Sequence, residues 1–144
     1  ETDVLRERAE LFVRNHGMTV LCPRPVFVAR PEHYPRWREW FNDDPDKHGS
    51  QTDLFSYVDV RDVCDATVRA LTHDLSGFAS FLLAADDTTS LLPTAELVRR
   101  HYPDVSWRTS QDAWFADNPH RGLIDCRVAK TLLGWRPRHS WRDA

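Results

Sequence analysis

Ten residues, Leu54-Phe55-Ser56-Tyr57-Val58-Asp59-Val60-Arg61-Asp62-Val63, narrow the possible folds more than any other part of the sequence. Leu54 to Val58 is an apolar, strand-prone run that ends on a carboxylate, and a helical pattern starts at the next residue. Asp59 is placed as the N-cap with Asp62 three residues on, an aspartate version of the capping box in which Asp59 accepts from the amide of Asp62. Both carboxylates favour the positive end of the helix dipole. Val60, Val63, Cys64, Thr67, Val68 and Leu71 then form the expected inward face of a helix that ends near Asp74. A strand that passes straight into a helix belongs to an α/β architecture.

The rest of the chain repeats that alternation. Thr2 to His16 reads as a helix with Leu5, Ala9, Phe12 and Val13 on one stripe, stopped by Gly17. Met18 to Cys22 reads as a buried strand, which Pro23 and Pro25 end or force to a sheet edge. Tyr34, Trp37, Trp40 and Phe41 predict a short amphipathic helix, and Asn42 to Ser50 a polar loop. Phe78 to Ala84 is a second buried strand. Pro93 opens a helix to about His101. Gln111 to Ala116 and Arg127 to Leu133 are shorter helices, the latter closed by Gly134. Val105 to Arg108 and Leu123 to Asp125 read as short extended pieces. Trp135 and Trp141 are expected to pack the Arg-rich tail onto the domain as a strap.

Composition limits the function classes. With 144 residues, 41% hydrophobic and 28% charged, the chain can form one globular domain with a modest core. A net charge of -3 gives no electrostatic case for nucleic acid or an anionic membrane surface. No run of about 18 apolar residues occurs, so no membrane span is predicted. No secretory leader pattern opens the chain. It begins without methionine, directly in a helical pattern, which suits a fragment or a processed product. Cys22, Cys64 and Cys126 are far apart and form no CxxC, so reduced thiols are expected, with no disulfide framework and no metal site. A cytoplasmic location follows as the expectation. Asp43, Asp44 and Asp46 and the loop histidines His33, His48 and His120 read as solvated side chains. The six tryptophans are many for this length; several can line a ring pocket, although packing is the simpler role for each.

Four pieces, in chain order, resemble the extended short-chain dehydrogenase/reductase superfamily, the NAD-dependent epimerases and dehydratases of the UDP-glucose 4-epimerase type. They are His16-Gly17-Met18-Thr19-Val20-Leu21-Cys22-Pro23-Arg24-Pro25; Tyr57-Val58-Asp59-Val60-Arg61-Asp62-Val63; Phe81-Leu82-Leu83-Ala84-Ala85-Asp86-Asp87-Thr88; and Asp125 with Ala129 and Leu133-Gly134-Trp135-Arg136-Pro137. Together they span nearly the whole chain. The resemblance implies the C-terminal part of a Rossmann-like extended reductase with its small mixed α/β substrate-binding lobe. Residues 1–29 would be the last helix and strand of the Rossmann part, and 30–144 the lobe. The Tyr-x-x-x-Lys pair and the phosphate-binding glycine turn of such enzymes would precede Glu1. No catalytic residue of the family therefore falls in this sequence.

The same resemblance implies a cofactor-facing wall at Pro25, Val26, Phe27 and Val28. NAD or NADP is expected in the intact enzyme and none on this segment alone. It implies substrate contacts at Arg36, Ser56 and Tyr57, with a sugar or nucleotide sugar as substrate and hydride transfer at a sugar hydroxyl. A homodimer is expected for the intact enzyme, and self-association or a companion chain for the segment, since a missing half exposes a sheet edge. The pattern also departs from the family. Phe55 stands where a diphosphate-binding arginine is usual, Phe115 near a second arginine position, Phe27 in place of an asparagine and Val128 in place of a lysine. A diphosphate needs cations, which Arg30, Arg36, Arg38 or Arg121 would have to supply. Tyr34-Pro35-Arg36-Trp37-Arg38-Glu39-Trp40-Phe41 resembles the substrate region of uronate dehydrogenases, which gives an alternative: oxidation of a free sugar acid with Arg36 on its carboxylate. A non-catalytic module that binds a ligand or partner is the third possibility.

Overall fold

The computed structural model describes residues 2–43 and 50–143. Helix α1 (Thr2–His16) leads through Gly17, which adopts the left-handed conformation at φ 63°, into strand β1 (Val20–Pro25). Strand β2 (Phe27–Ala29), helix α2 (Tyr34–Asp43), strand β3 (Tyr57–Asp59) and helix α3 (Val60–Thr72) follow. Strand β4 (Phe78–Leu83) and helices α4 (Thr94–His101), α5 (Gln111–Phe115) and α6 (Arg127–Leu133) complete the order.

The strands pair in parallel. β1 lies beside β4, with Val20 opposite Phe78 and Pro25 opposite Leu83. β2 lies beside β3, with Phe27 opposite Tyr57. Parallel neighbours need long crossovers, and α2 and α3 occupy them. Backbone bonds stitch the two ladders together: Val26 N–H donates to the Leu83 carbonyl (3.1 Å), and Ala85 N–H donates to the Tyr57 carbonyl (2.7 Å). The molecule is thus a mixed α/β fold with small parallel sheets.

One apolar cluster gathers Val58, Phe81, Leu83, Leu133 and Trp135 between β4, α3 and α6. A second gathers Tyr34, Trp37, Tyr57 and Trp141 under α2. Trp135 and Trp141 are fully buried, so the tail is a packed strap. At the end of α6, Gly134 takes φ 59° and Arg69 donates to the carbonyls of Leu133 (3.3 Å) and Gly134 (3.2 Å), a cation at the negative end of a helix.

Several elements differ from the sequence expectation. β1 begins at Val20, two residues after Met18, runs through both prolines, and is only half-buried. Its proline nitrogens lie in a ladder with a partner on one side, which is where missing donors are tolerated. The expected strand from Leu54 shrinks to Tyr57–Asp59, because Leu54 and Phe55 take left-handed backbone at φ 55° and 54°. Neither Val105 to Arg108 nor Leu123 to Asp125 forms a strand; an isolated bridge between Arg121 and Asp87 lies just before the latter. The loop expected at Asn42 to Ser50 falls mostly outside the described residues; Asn42 and Asp43 close α2, and Ser50 opens a 3-10 turn.

The largest correction concerns α3. Its fully buried residues are Asp62 and Ala66; of the expected face Val63 packs partly against the main core, while Val68 is 58% and Leu71 81% exposed. Asp62 turns inward because the tail crosses it. Its carboxylate accepts from the amides of Arg138 and His139 (3.1 Å each) and pairs with His139 Nδ1 (2.8 Å). Asp59 caps the helix as expected, but through the amide of Arg61 (2.8 Å) and not that of Asp62. The α1 stripe is likewise open: Phe12 is 52% exposed, and Ala9 and Val13 are partly buried.

Candidate functional site

The parallel register brings part of the sequence-expected site together. Pro25 ends β1 at the surface, Val26 packs against the main core, and Phe27 and Val28 are exposed on β2 beside Tyr57 and Val58. The Phe27 ring lies 6.0 Å from Trp37, and Trp37 meets Tyr57 edge-on at 5.3 Å. Phe27, Trp37 and Tyr57 therefore form an aromatic shelf just past the C-terminal end of β1, where β2 and β3 begin. Ser56 and Tyr57 are buried, and the hydroxyls of both are bonded within the protein. Ser56 donates to the Leu54 carbonyl (3.3 Å). Tyr57 donates to Asp87 Oδ1 (2.7 Å) and accepts from the Trp141 amide (3.1 Å). Arg36 sits on the exposed side of α2 with its guanidinium over Trp40, 4.9 Å from the ring centre, and no bond joins it to Ser56 or Tyr57.

Two buried carboxylates set the electrostatics behind the shelf. Asp59 accepts from the Tyr34 hydroxyl and from Arg61 Nε and Nη2 (2.8 Å each). Burial pushes the Asp59 carboxyl up, but the Arg61 guanidinium, the Tyr34 hydroxyl and the Arg61 amide outweigh it and hold its pKa at about 2. A lowered folded-state pKa stabilises the fold above the ordinary carboxylate range and loses that contribution as pH falls toward the folded value. Because Arg61 is half in water, the expected loss is about 1–2 kcal/mol between roughly pH 4 and pH 2. Urea denaturation across that range should show it, and Asp59→Asn should flatten the profile.

Asp87 is the second hub. It accepts from the Tyr57 hydroxyl and Ser140 Oγ (2.7 Å) and forms an ion pair with Arg142 (Nε at 3.1 Å). Burial pushes its pKa up, and these partners only partly pull it back. Burial and the Asp87 charge raise the Tyr57 pKa, so its hydroxyl keeps its proton and acts as a fixed donor.

The loop after β4 carries a different face on its other side. Gly122 N–H donates to the Asp86 carbonyl (2.9 Å), and a Cβ at Gly122 would stand 3.2 Å from the Ala85 carbonyl oxygen, a tight contact that a larger residue would have to ease. Beyond them lies a cavity of about 500 Å³, walled by Ala85, Trp107, Arg108, Trp114, Arg121 and Cys126. An apolar cavity of about 260 Å³ adjoins it through Trp107, Arg108 and Leu123. A third cleft of about 340 Å³ holds His139, Asn118 and Arg142 beside Asp86. Sequence reasoning named Arg121 and did not single out Trp107, Arg108, Trp114 or the Asp62–His139 pair. The pair joins residues 77 apart and leaves no local pattern. The cavity's side chains come from irregular segments, whose placement periodicity does not report.

Of the shelf, Phe27 is exposed, while Trp37 and Tyr57 are buried behind it. Among the described residues, no group of three or more His, Cys, Asp or Glu is arranged to hold a metal ion. No described helix is long and apolar enough to cross a membrane. No family model matches the chain, and no curated protein matches it.

Proposed function

We infer that this chain is the substrate side of an NAD(P)-dependent epimerase/dehydratase-like oxidoreductase, in which a nucleotide-binding half supplies the cofactor site and the catalytic groups. The observation that carries this reading is the parallel β1–β4 pair with the aromatic shelf at its C-terminal end. Parallel strands occur almost only in sheets covered on both faces. Here β1 is paired with β4 alone among the described residues, and apolar side chains of α1 stay exposed. A longer sheet that continues from β1 would bury both. Ligands of open α/β sheets bind beyond the carboxyl ends of the strands, which is where Pro25, Val26, Phe27 and Val28 lie. In this reading the intact enzyme moves a hydride between NAD or NADP and a sugar hydroxyl.

A second reading, oxidation of a sugar acid, is favoured by one observation. Phe55, at the position of the usual diphosphate arginine, is buried against the His101 ring at 5.3 Å and offers a diphosphate neither charge nor access. Non-catalytic binding by the chain itself is the reading left if the enzyme test fails.

The test uses the longest natural polypeptide that contains these residues. Titration calorimetry should detect NAD or NADP, and the nicotinamide should be reduced with at least one member of a panel of sugars, sugar acids and nucleotide sugars. Absence of any nicotinamide binding would remove the oxidoreductase reading.

A further inference from the structure

The cavity at Gly122 carries a charge pattern that its own packing leaves unmatched. Its acidic groups have internal partners: Asp125 pairs with Arg127 (2.7 Å) and Asp86 with Lys130 (2.6 Å). The arginines Arg108 and Arg121 remain. Arg108 is exposed and has no side-chain partner among the described residues. Arg121 donates to the Trp114 carbonyl (3.1 Å) and lies over the Trp114 ring at 4.4 Å, but meets no carboxylate. The rings of Trp107 and Trp114 stand in the same wall, while their indole N–H groups are buried away from the cavity. The charged groups of this wall that meet no opposite charge are thus both cations, Arg108 and Arg121.

The adjoining cavity supplies the opposite chemistry. Leu54, Val98, Tyr102 and Val105 line it, and Trp107, Arg108 and Leu123 belong to both chambers. At about 500 Å³ the larger chamber by itself falls in the roughly 300–1,000 Å³ range of small-molecule sites. A neutral sugar would leave both arginines unmet, and a bare inorganic anion would leave the apolar chamber empty.

We propose that the joined cavity binds a small organic anion. Its carboxylate or phosphate oxygens rest on Arg108 and Arg121, and its flat apolar body extends past Trp107 toward Val98 and Leu54. The site is made of this chain's own residues and stands whether or not the chain belongs to an oxidoreductase.

Proton–nitrogen NMR spectra of the indole groups test it on the chain itself, titrated with phenylacetate, phenyl phosphate and neutral phenylacetamide. Saturable shifts of the Trp107 and Trp114 resonances are expected with at least one anion, and the anion that saturates identifies a carboxylate or a phosphate site. Phenylacetamide should not saturate over the same range. Arg108→Gln and Arg121→Gln should each weaken the anion about tenfold, the loss of one charge-assisted bond. Because Arg121 also braces the Trp114 carbonyl, Arg108→Gln, at an exposed residue, separates loss of binding from loss of fold. Equal saturation by phenylacetamide, unchanged affinity in Arg108→Gln, shifts confined to other tryptophans, or no saturable shift with either anion would each overturn the proposal.

Discussion

Replacing Trp135 with alanine is expected to lower the unfolding free energy by about 3–5 kcal/mol, the cost typical of a large aromatic removed from a packed core. Trp135 is fully buried in the cluster that joins Val58, Phe81, Leu83 and Leu133. It also serves as the pin of the tail, since its indole N–H donates to the Asp62 carbonyl at 2.9 Å. Truncation therefore removes packing and leaves that carbonyl to find another donor. The loss extends to the strap, whose amides at Arg138 and His139 sit on the Asp62 carboxylate. Trp135→Phe separates the contributions. It keeps most of the volume and loses only the N–H, so about 1–2 kcal/mol is expected. Urea denaturation would give both values, with an unchanged m-value marking a pure stability effect. A loss below about 1 kcal/mol for the alanine variant would show that the tail is not part of the cooperative unit.

That dependence on the tail explains which features were legible in the sequence. α1, α2 and α6 are set by local signals: apolar spacing, a stop at Gly17 or Gly134, and an aromatic stripe at Tyr34 and Trp37. Their existence follows from neighbours in sequence. The inward face of α3 does not. A helical period finds the apolar side, Val68 and Leu71, whereas the buried side is chosen by Arg138 and His139, seventy-six and seventy-seven residues beyond Asp62. A buried carboxylate is stable only with such donors, and they are invisible to any local window. The Leu54–Phe55 error has a similar origin. Left-handed backbone at non-glycine residues has no composition signal, so an apolar pair reads as strand. Of the expected site, Phe27 and Tyr57 meet because parallel register places them opposite each other. Arg36 lies apart because α2 turns Tyr34 and Trp37 inward and leaves it against Trp40.

Asp87→Ala should be as damaging as the loss of Trp135, about 3–5 kcal/mol, for an electrostatic reason. The carboxylate accepts from the Tyr57 hydroxyl and Ser140 and is the counter-ion of Arg142. Removing it leaves a half-buried guanidinium without its counter-ion and a fully buried hydroxyl without its acceptor. Asp87→Asn keeps an acceptor and loses the charge, so a smaller loss of about 1.5–3 kcal/mol is expected at neutral pH. The pH dependence gives a sharper check. Burial raises the folded-state pKa of Asp87, so the folded protein holds this proton more tightly than the unfolded chain. Stability from this group therefore falls as pH rises from the ordinary carboxylate value through the raised one, and is regained on acidification. Asp59 has the opposite sign, because its lowered pKa makes acid destabilising. In the wild type the two partly cancel on the acid side. In Asp87→Asn only the Asp59 contribution remains, so stability should fall more steeply between neutral pH and roughly pH 2 than in the wild type. Urea midpoints measured in parallel across that range would decide it, and superimposable slopes would mean that Asp87 is ionised in the folded protein as readily as in the unfolded chain.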